Sequence, residues 1–299
     1  MVWLLATVVA AMFQTVRTAM QQHLRDALSP NAAGFVRYSF GAPLALVAVA
    51  VIWLVGGALP PLSAGFLWRV ALAGLSQIVG TEMLIRSFRL RDFAIGTTYA
   101  KTETAQVAAL SALALGEPLA APAWLGVAVC FAGVAVLACR GSLSRLGEVV
   151  RAQGDRAMWT GLAAGAGFAA AAVSIRAASG SLGESHPITR ALVTLAVMNT
   201  LQSSANSLWL AWREPGAFRA IAGVWRSSAT VGLFSVGGSA GFAIAMTLHN
   251  AAVVRAVGQI DVVFAFLAGR FVFREARQLS ELVGSLLVVA GVVAVVALA

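Results

Sequence analysis

Charge is what this chain has least of. Only 11% of its 299 residues are Asp, Glu, Lys or Arg, where a soluble domain carries about 25%. Hydrophobic residues make up 60% and the mean hydropathy is +0.85. A soluble fold is excluded, and a polytopic helical membrane protein remains, because apolar spans must satisfy their backbone groups internally. The short alternating segments of a transmembrane β-barrel are also missing; apolar runs of about 20 residues recur instead. Cysteine is scarce too. Cys130 and Cys139 fall on one predicted helix, too far apart along its axis to bond each other, so redox compartment is not legible.

Three histidines, His23, His186 and His249, are scattered, and no His-Glu-x-x-His occurs. The Gly-x-x-x-x-Gly-Lys-Ser/Thr phosphate loop is missing as well, which removes ATP as a direct energy source. No catalytic residue, metal or cofactor is expected, and an intramembrane enzyme is the weakest reading. Met1-Val2-Trp3 runs straight into an apolar span, so no cleavable leader is expected. The net charge of +9 comes from arginines spread over many short connections. That pattern fits the loops of a membrane protein and not a nucleic-acid-binding face.

Ten spans can be drawn, at approximately 2–22, 32–56, 66–88, 93–115, 121–139, 157–177, 188–212, 228–248, 251–272 and 279–298. Pro30, Gly56-Gly57 with Pro60-Pro61, Gly116-Glu117-Pro118, Gly180 to Pro187 and Pro215-Gly216 punctuate them. The longest polar connection, Arg140 to Arg156, is the midpoint, so 1–140 and 157–299 read as two five-helix halves joined by 141–156. An internal repeat supports this at an offset of 158 residues. Leu113-Ala-Leu-Gly-Glu-Pro matches Phe271-Val-Phe-Arg-Glu-Ala, Gly126 matches Gly284, Gly133 matches Gly291, and Glu103 falls on Asp261. Five is odd, so the second half enters the membrane inverted. The expected fold is all-α, ten transmembrane helices as two inverted five-helix repeats, a common secondary-transporter plan.

The doubled pattern of span, Leu-Gly-Glu, short break and Gly-rich span ending in Ala-Gly-Val resembles the drug/metabolite transporter superfamily, specifically its ten-helix EamA-like members. The resemblance implies small-metabolite transport by alternating access through a central cavity. It says little about substrate, because the shared motif marks helix ends and packing. This chain also departs from the pattern in span four, where many members carry a proline and apolar residues near Thr102-Glu103.

Orientation sets the residues against the resemblance. Fourteen arginines, Arg86, Arg140, Arg213 and Arg270 among them, lie on the side reached after the odd-numbered spans. At most four, Arg69, Arg176, Arg190 and Arg255, lie opposite. Basic short loops mark the cytoplasmic side, which places both termini outside a bacterial inner membrane. Ten-helix relatives generally keep them inside, and the charge bias is preferred here.

The functional signal is Thr97 to Gln106. Span four is centred near Thr104, which brings Lys101 and Glu103 within about one turn of the bilayer midplane. A charge there costs about 2.5–3.5 kcal/mol or more, so these groups should face protein or a wet cavity. On a continuous helix the two sit about 200° apart, Glu103 with Tyr99 and Gln106 on one face, Lys101 with Thr104 on the other. Asp261 takes the pseudo-symmetric position. Facing carboxylates in a low-dielectric site would make Glu103 and Asp261 proton-coupling candidates; Lys101 or Arg255 nearby would keep both ionised and remove that role. Arg37 is a candidate anion clamp or a snorkelling side chain. Asn199, Gln202 and Asn206 make a polar stripe in span seven, for substrate or for interhelical bonds. The expected substrate is a small polar or zwitterionic metabolite of the amino acid or organic acid type. A lipid or lipid-linked phosphate is the alternative, which Arg37 and Lys101 would serve. The expected partners are substrate and bilayer, with a homodimer left open and no nucleic acid.

Overall fold

The computed structural model describes residues 1–24, 27–90, 98–139, 142–151, 156–271 and 279–299. Among these the regular structure is helical throughout. In order the helices are α1 Val2–His23, α2 Pro30–Ser39, α3 Gly41–Leu54, α4 Ala64–Leu90, α5 Glu103–Leu115, α6 Ala123–Ala138 and α7 Leu143–Arg151. They continue as α8 Arg156–Gly180, α9 Pro187–Arg213, α10 Ala217–Gly223, α11 Trp225–Leu248, α12 Ala251–Gly258, α13 Ile260–Phe271 and α14 Leu279–Leu298. Val2–Gln21, Pro30–Leu54, Arg156–Gly180 and Trp225–Leu248 are each long and apolar enough to cross a bilayer.

Three expected spans are broken helices. Span two divides at Phe40 into α2 and α3, because Pro43 lacks an N–H and its ring crowds the carbonyl one turn back. Span nine divides at Gln259 into α12 and α13. Span four has a helical turn at 98–100, bends at Lys101-Thr102 and resumes as α5. The apolar pattern of the sequence predicts a continuous helix at each. The 140–156 connection also differs from expectation, since it carries the helix α7.

The chain forms two compact units, Met1–Gly74 with Ser174–Leu248 and Leu75–Val173 with His249–Ala299. Each draws on both halves of the sequence. In the first unit, α9 packs Val193, Leu195 and Met198 against Phe66 and Val70 of α4 and Ala178 and Leu182 beyond them. Ser29 caps α2 by accepting from the Ala32 N–H at 3.2 Å, with Pro30 at the first helical position. Glu214, at the end of α9, accepts from the Ser29 hydroxyl at 2.5 Å and the Asn31 amide at 2.7 Å. These bonds hold its carboxyl below the usual range.

In the second unit, α6 and α14 pack closely through Gly126, Gly133, Gly284 and Gly291. A Cβ on Gly126 would stand 2.6 Å from the Val295 nitrogen and 2.8 Å from the Gly291 oxygen; one on Gly133 would stand 2.7 Å from the Val288 nitrogen and 2.8 Å from the Gly284 oxygen. The contacts run in opposite chain directions and are reciprocal. Gly126 meets Val295 while Gly284, its repeat mate, meets Leu137, the mate of Val295. The two helices are thus antiparallel across a local two-fold, and small residues let their backbones touch where no hydrophobic effect drives association. Gly116, in the Leu-Gly-Glu motif, ends α5 with φ +66°, a left-handed cap that favours glycine. Asn250 ties the motif to α12 by donating to the Glu117 carbonyl at 3.2 Å while capping the Ala252 N–H at 2.8 Å. Glu275, its repeat partner, lies outside the described residues.

Candidate functional site

The bend in span four is built by Thr102. Its N–H bonds the Tyr99 carbonyl at 3.2 Å and its hydroxyl the same carbonyl at 2.6 Å, a tight i→i−3 turn that competes with the α-helical ladder. In span nine the Gln259 N–H bonds the Ala256 carbonyl at 3.1 Å, again i→i−3. The two bends coincide within one residue of the repeat register. Each places its carboxylate, Glu103 or Asp261, in the first turn of the resumed helix, where free N–H groups favour negative charge.

The cations cross between these spans. Lys101, the only lysine in the chain, reaches both Asp261 oxygens at 3.2 and 3.3 Å. Arg255, one turn before its bend, forms an ion pair with Glu103. Gln259 donates to the Thr104 hydroxyl at 2.8 Å between them. Glu103 is 6% and Arg255 19% exposed, against 22% for Lys101 and 14% for Asp261, so the Lys101 pair is the more open one. Each carboxylate meets its own cation, the alternative in which the proton-sharing arrangement is not assembled. Arg255, counted above among loop charges, instead lies within a helix in this cluster.

A cavity of about 290 Å³ opens beside Lys101. Lys101, Thr102, Thr104 and Gln259 form its polar end, and Trp124, Val127, Phe131 and Val134 its apolar wall. The charged cluster pointed to a cavity, but its apolar wall on span five was not anticipated; no polar residue in that span signals it. Gln259 did carry a signal, as an amide in an apolar stretch beside Asp261.

The remaining predicted residues serve other contacts. Tyr99 donates to the Val149 carbonyl of α7 at 2.8 Å, docking the connecting helix. Arg37, Asn199, Gln202 and Asn206 belong to the first unit. Arg37 lies 5.4 Å from the Tyr38 ring centroid and has no carboxylate partner among the described residues. Gln202, 1% exposed, donates to the Gly74 carbonyl at 3.1 Å, an interhelical bond. Asn206 donates to the Gln202 carbonyl at 2.8 Å, and Asn199 is 4% exposed beside Gly41. Gly237-Gly238-Ser239-Ala240-Gly241 has Gly-x-Ser-x-Gly spacing, yet it sits inside α11, where the strand-to-helix turn of a nucleophile elbow is not formed.

Against known proteins, no protein of curated function matches this sequence. Among solved structures, 28 chains match. One crystal structure superposes with a TM-score of 0.72 over 99% of this chain and 97% of its own, at 17% identity, a likeness of fold alone. The model of the EamA-like transporter family matches residues 1–139, the segment ending with the first Gly-rich span. Through that segment, a little under half of its length, the chain is similar to the EamA-like transporter family.

Proposed function

We propose that the protein is a secondary transporter that moves a small polar or zwitterionic metabolite, of the amino acid or organic acid type, by alternating access. Ten spans in two inverted five-helix repeats would carry it through a bacterial inner membrane, with both termini outside, as the arginine bias favours. The observation that carries this reading is the pair of crossed ion pairs, Lys101–Asp261 and Arg255–Glu103, at matching bends of spans four and nine. Full charges at this depth are costly even when paired, and where they persist they mark pathways; discontinuous helices are where such transporters bind cargo. Four charges summing to zero suit cargo bearing both signs, which can replace each partner in turn. With both carboxylates held by cations, proton uptake by Glu103 or Asp261 would follow displacement of a cation by substrate. Arg37 and Asn199 are the first unit's candidates for cargo contact; Tyr99 and Gln202 are already used in contacts between helices, and Asn206 in a bond to the carbonyl one turn back in its own helix.

Counterflow in proteoliposomes, with amino acids and organic acids offered in turn, tests the reading. Saturable exchange of at least one class is expected, with loss in Lys101→Gln. No saturable flux for any of them by a folded protein would defeat it. The lipid-linked alternative is favoured by one observation: the cavity beside Lys101 borders Trp124, 41% exposed. Scrambling of a phosphate-headed lipid with no metabolite exchange would select it.

A further inference from the structure

The end of α9, the short α10 and the start of α11 carry exposed arginines beside exposed aromatic rings, and the transport reading above does not use them. We infer that this surface binds the phosphodiester headgroups of anionic phospholipids through guanidinium groups stacked on tryptophan, the lipid standing beside the protein and not as its cargo. The inference holds whatever the protein transports.

Charge comes first. The stretch from Trp212 to Arg226 holds three arginines, Arg213, Arg219 and Arg226, and one carboxylate, Glu214. All three arginines are exposed, and none has a carboxylate partner among the described residues. Glu214 has both oxygens engaged by Ser29 and Asn31 at the start of α2. Rings lie beside the charges. The Arg213 guanidinium stands 4.2 Å from the Trp212 ring centroid, and the Arg226 guanidinium 5.6 Å from that of Trp225, both within cation–π range. Trp212 is 73%, Trp225 55% and Phe218 39% exposed; such rings settle at headgroup depth in a membrane. The backbone puts them there. Trp225 opens the apolar span Trp225–Leu248, and Arg213 ends α9. Between them α10 is fastened by Ala217 and Ile221, one turn apart and buried with Leu24, Leu28 and Phe35, which leaves Phe218 and Arg219 exposed. A guanidinium laid on an indole keeps its N–H edge free to grip two phosphate oxygens at once. Basic short connections orient a membrane protein whatever they pack against, but orientation needs no stacked rings. The matching connection of the first repeat, 55–63, has no charged residue, so the repeat fold does not require the cluster. On the orientation proposed above, the surface meets the cytoplasmic leaflet, whose anionic lipids attract basic segments.

The test is native mass spectrometry of the full chain, released from detergent micelles and titrated with dioleoylphosphatidylglycerol or dioleoylphosphatidylcholine. Phosphatidylglycerol should bind at least about fivefold more tightly than phosphatidylcholine, which carries a cation beside its phosphate. Arg213→Gln with Arg226→Gln should remove most of that preference. Arg213→Lys with Arg226→Lys keeps the charge that orients the chain, so insertion stays that of the parent. It should still weaken phosphatidylglycerol binding at least about threefold, because an ammonium neither lies flat on the ring nor grips two oxygens. Arg145→Gln with Arg151→Gln, in α7 of the second unit and on the same side by span count, removes equal charge and should leave the preference intact. All these variants should keep the helical signal of the parent. Equal binding of the two lipids, parent-like binding in the lysine pair, an equal loss in the α7 pair, or displacement of the lipid by equimolar glycerol 3-phosphate would each overturn the inference and leave the transport reading standing.

Discussion

Replacing Gly126 with Ala places a Cβ 2.6 Å from the Val295 nitrogen and 2.8 Å from the Gly291 oxygen, and Gly291→Ala places one 2.5 Å from the Cys130 nitrogen and 2.8 Å from the Gly126 oxygen. These obstacles are backbone atoms, so rotamer changes cannot clear them. Ordinary contact begins at 3.4 Å, and reaching it means moving α6 and α14 apart by about 0.8 Å at this crossing, with loss of packing along both. Overpacking of this kind costs about 1–3 kcal/mol per site. The two sites share one crossing, so the separation forced by the first substitution accommodates the second. The double variant should therefore cost little more than the worse single one, a coupling of about 1–2 kcal/mol. Unfolding in detergent micelles, followed by helical circular dichroism, measures all four corners of the cycle. Gly133→Ala with Gly284→Ala should reproduce the pattern, because the local two-fold presents the same contacts again. Strictly additive costs, or singles as stable as the parent, would refute the close crossing.

The crossed ion pairs give a second cycle. Asp261→Asn should destabilise toward the low end of the about 3–5 kcal/mol typical of a broken buried pair, because both side chains retain some exposure. Lys101→Met combined with Asp261→Leu should recover most of the loss while abolishing exchange; a double variant less stable than either single would contradict the pairing. Glu214 supplies a pH effect. Its carboxyl is held below the ordinary 4.5 by Ser29 and Asn31, so its stabilisation is present above that value and is lost as pH falls through the lower folded value. Glu214→Gln should lower the melting temperature at neutral pH, with the gap closing on acidification past 4.5; a gap that stays constant with pH counts against this. Tyr99→Phe removes the bond to Val149, worth about 0.5–1.5 kcal/mol, and should speed proteolysis within 140–156 with little change in global melting. Gln202→Ala should cost about 0.6 kcal/mol, the average for an interhelical membrane bond; wild-type exchange rates in that variant would mark the residue as structural.

The helical membrane class and the repeat register of the glycines were open to sequence reasoning because they follow from apolar length and from glycines that recur at fixed spacing. Lys101, Glu103 and Asp261 announced themselves the same way, since charge inside an apolar run is visible without coordinates. The bends were less legible. Pro43 signals the break at Phe40, but no proline marks Lys101-Thr102 or Gln259, where local hydrogen bonding tightens the turn. Asn199, Gln202 and Asn206 form one stripe on a helical wheel, yet a wheel does not say whether an amide faces cargo or a neighbouring carbonyl, as Gln202 does at Gly74.

By itself the sequence determined a helical membrane protein and the few charges that the bilayer would not tolerate unassisted, because each depends on local composition set against the cost of burial. Only the tertiary structure decided which cation meets which carboxylate, and that Lys101 borders the cavity walled by Trp124 and Phe131. Those outcomes depend on groups about 150 residues apart along the chain, whose separation in space is set by helix packing and by the bends at Lys101-Thr102 and Gln259. Neither is encoded in the spacing of residues along one helix.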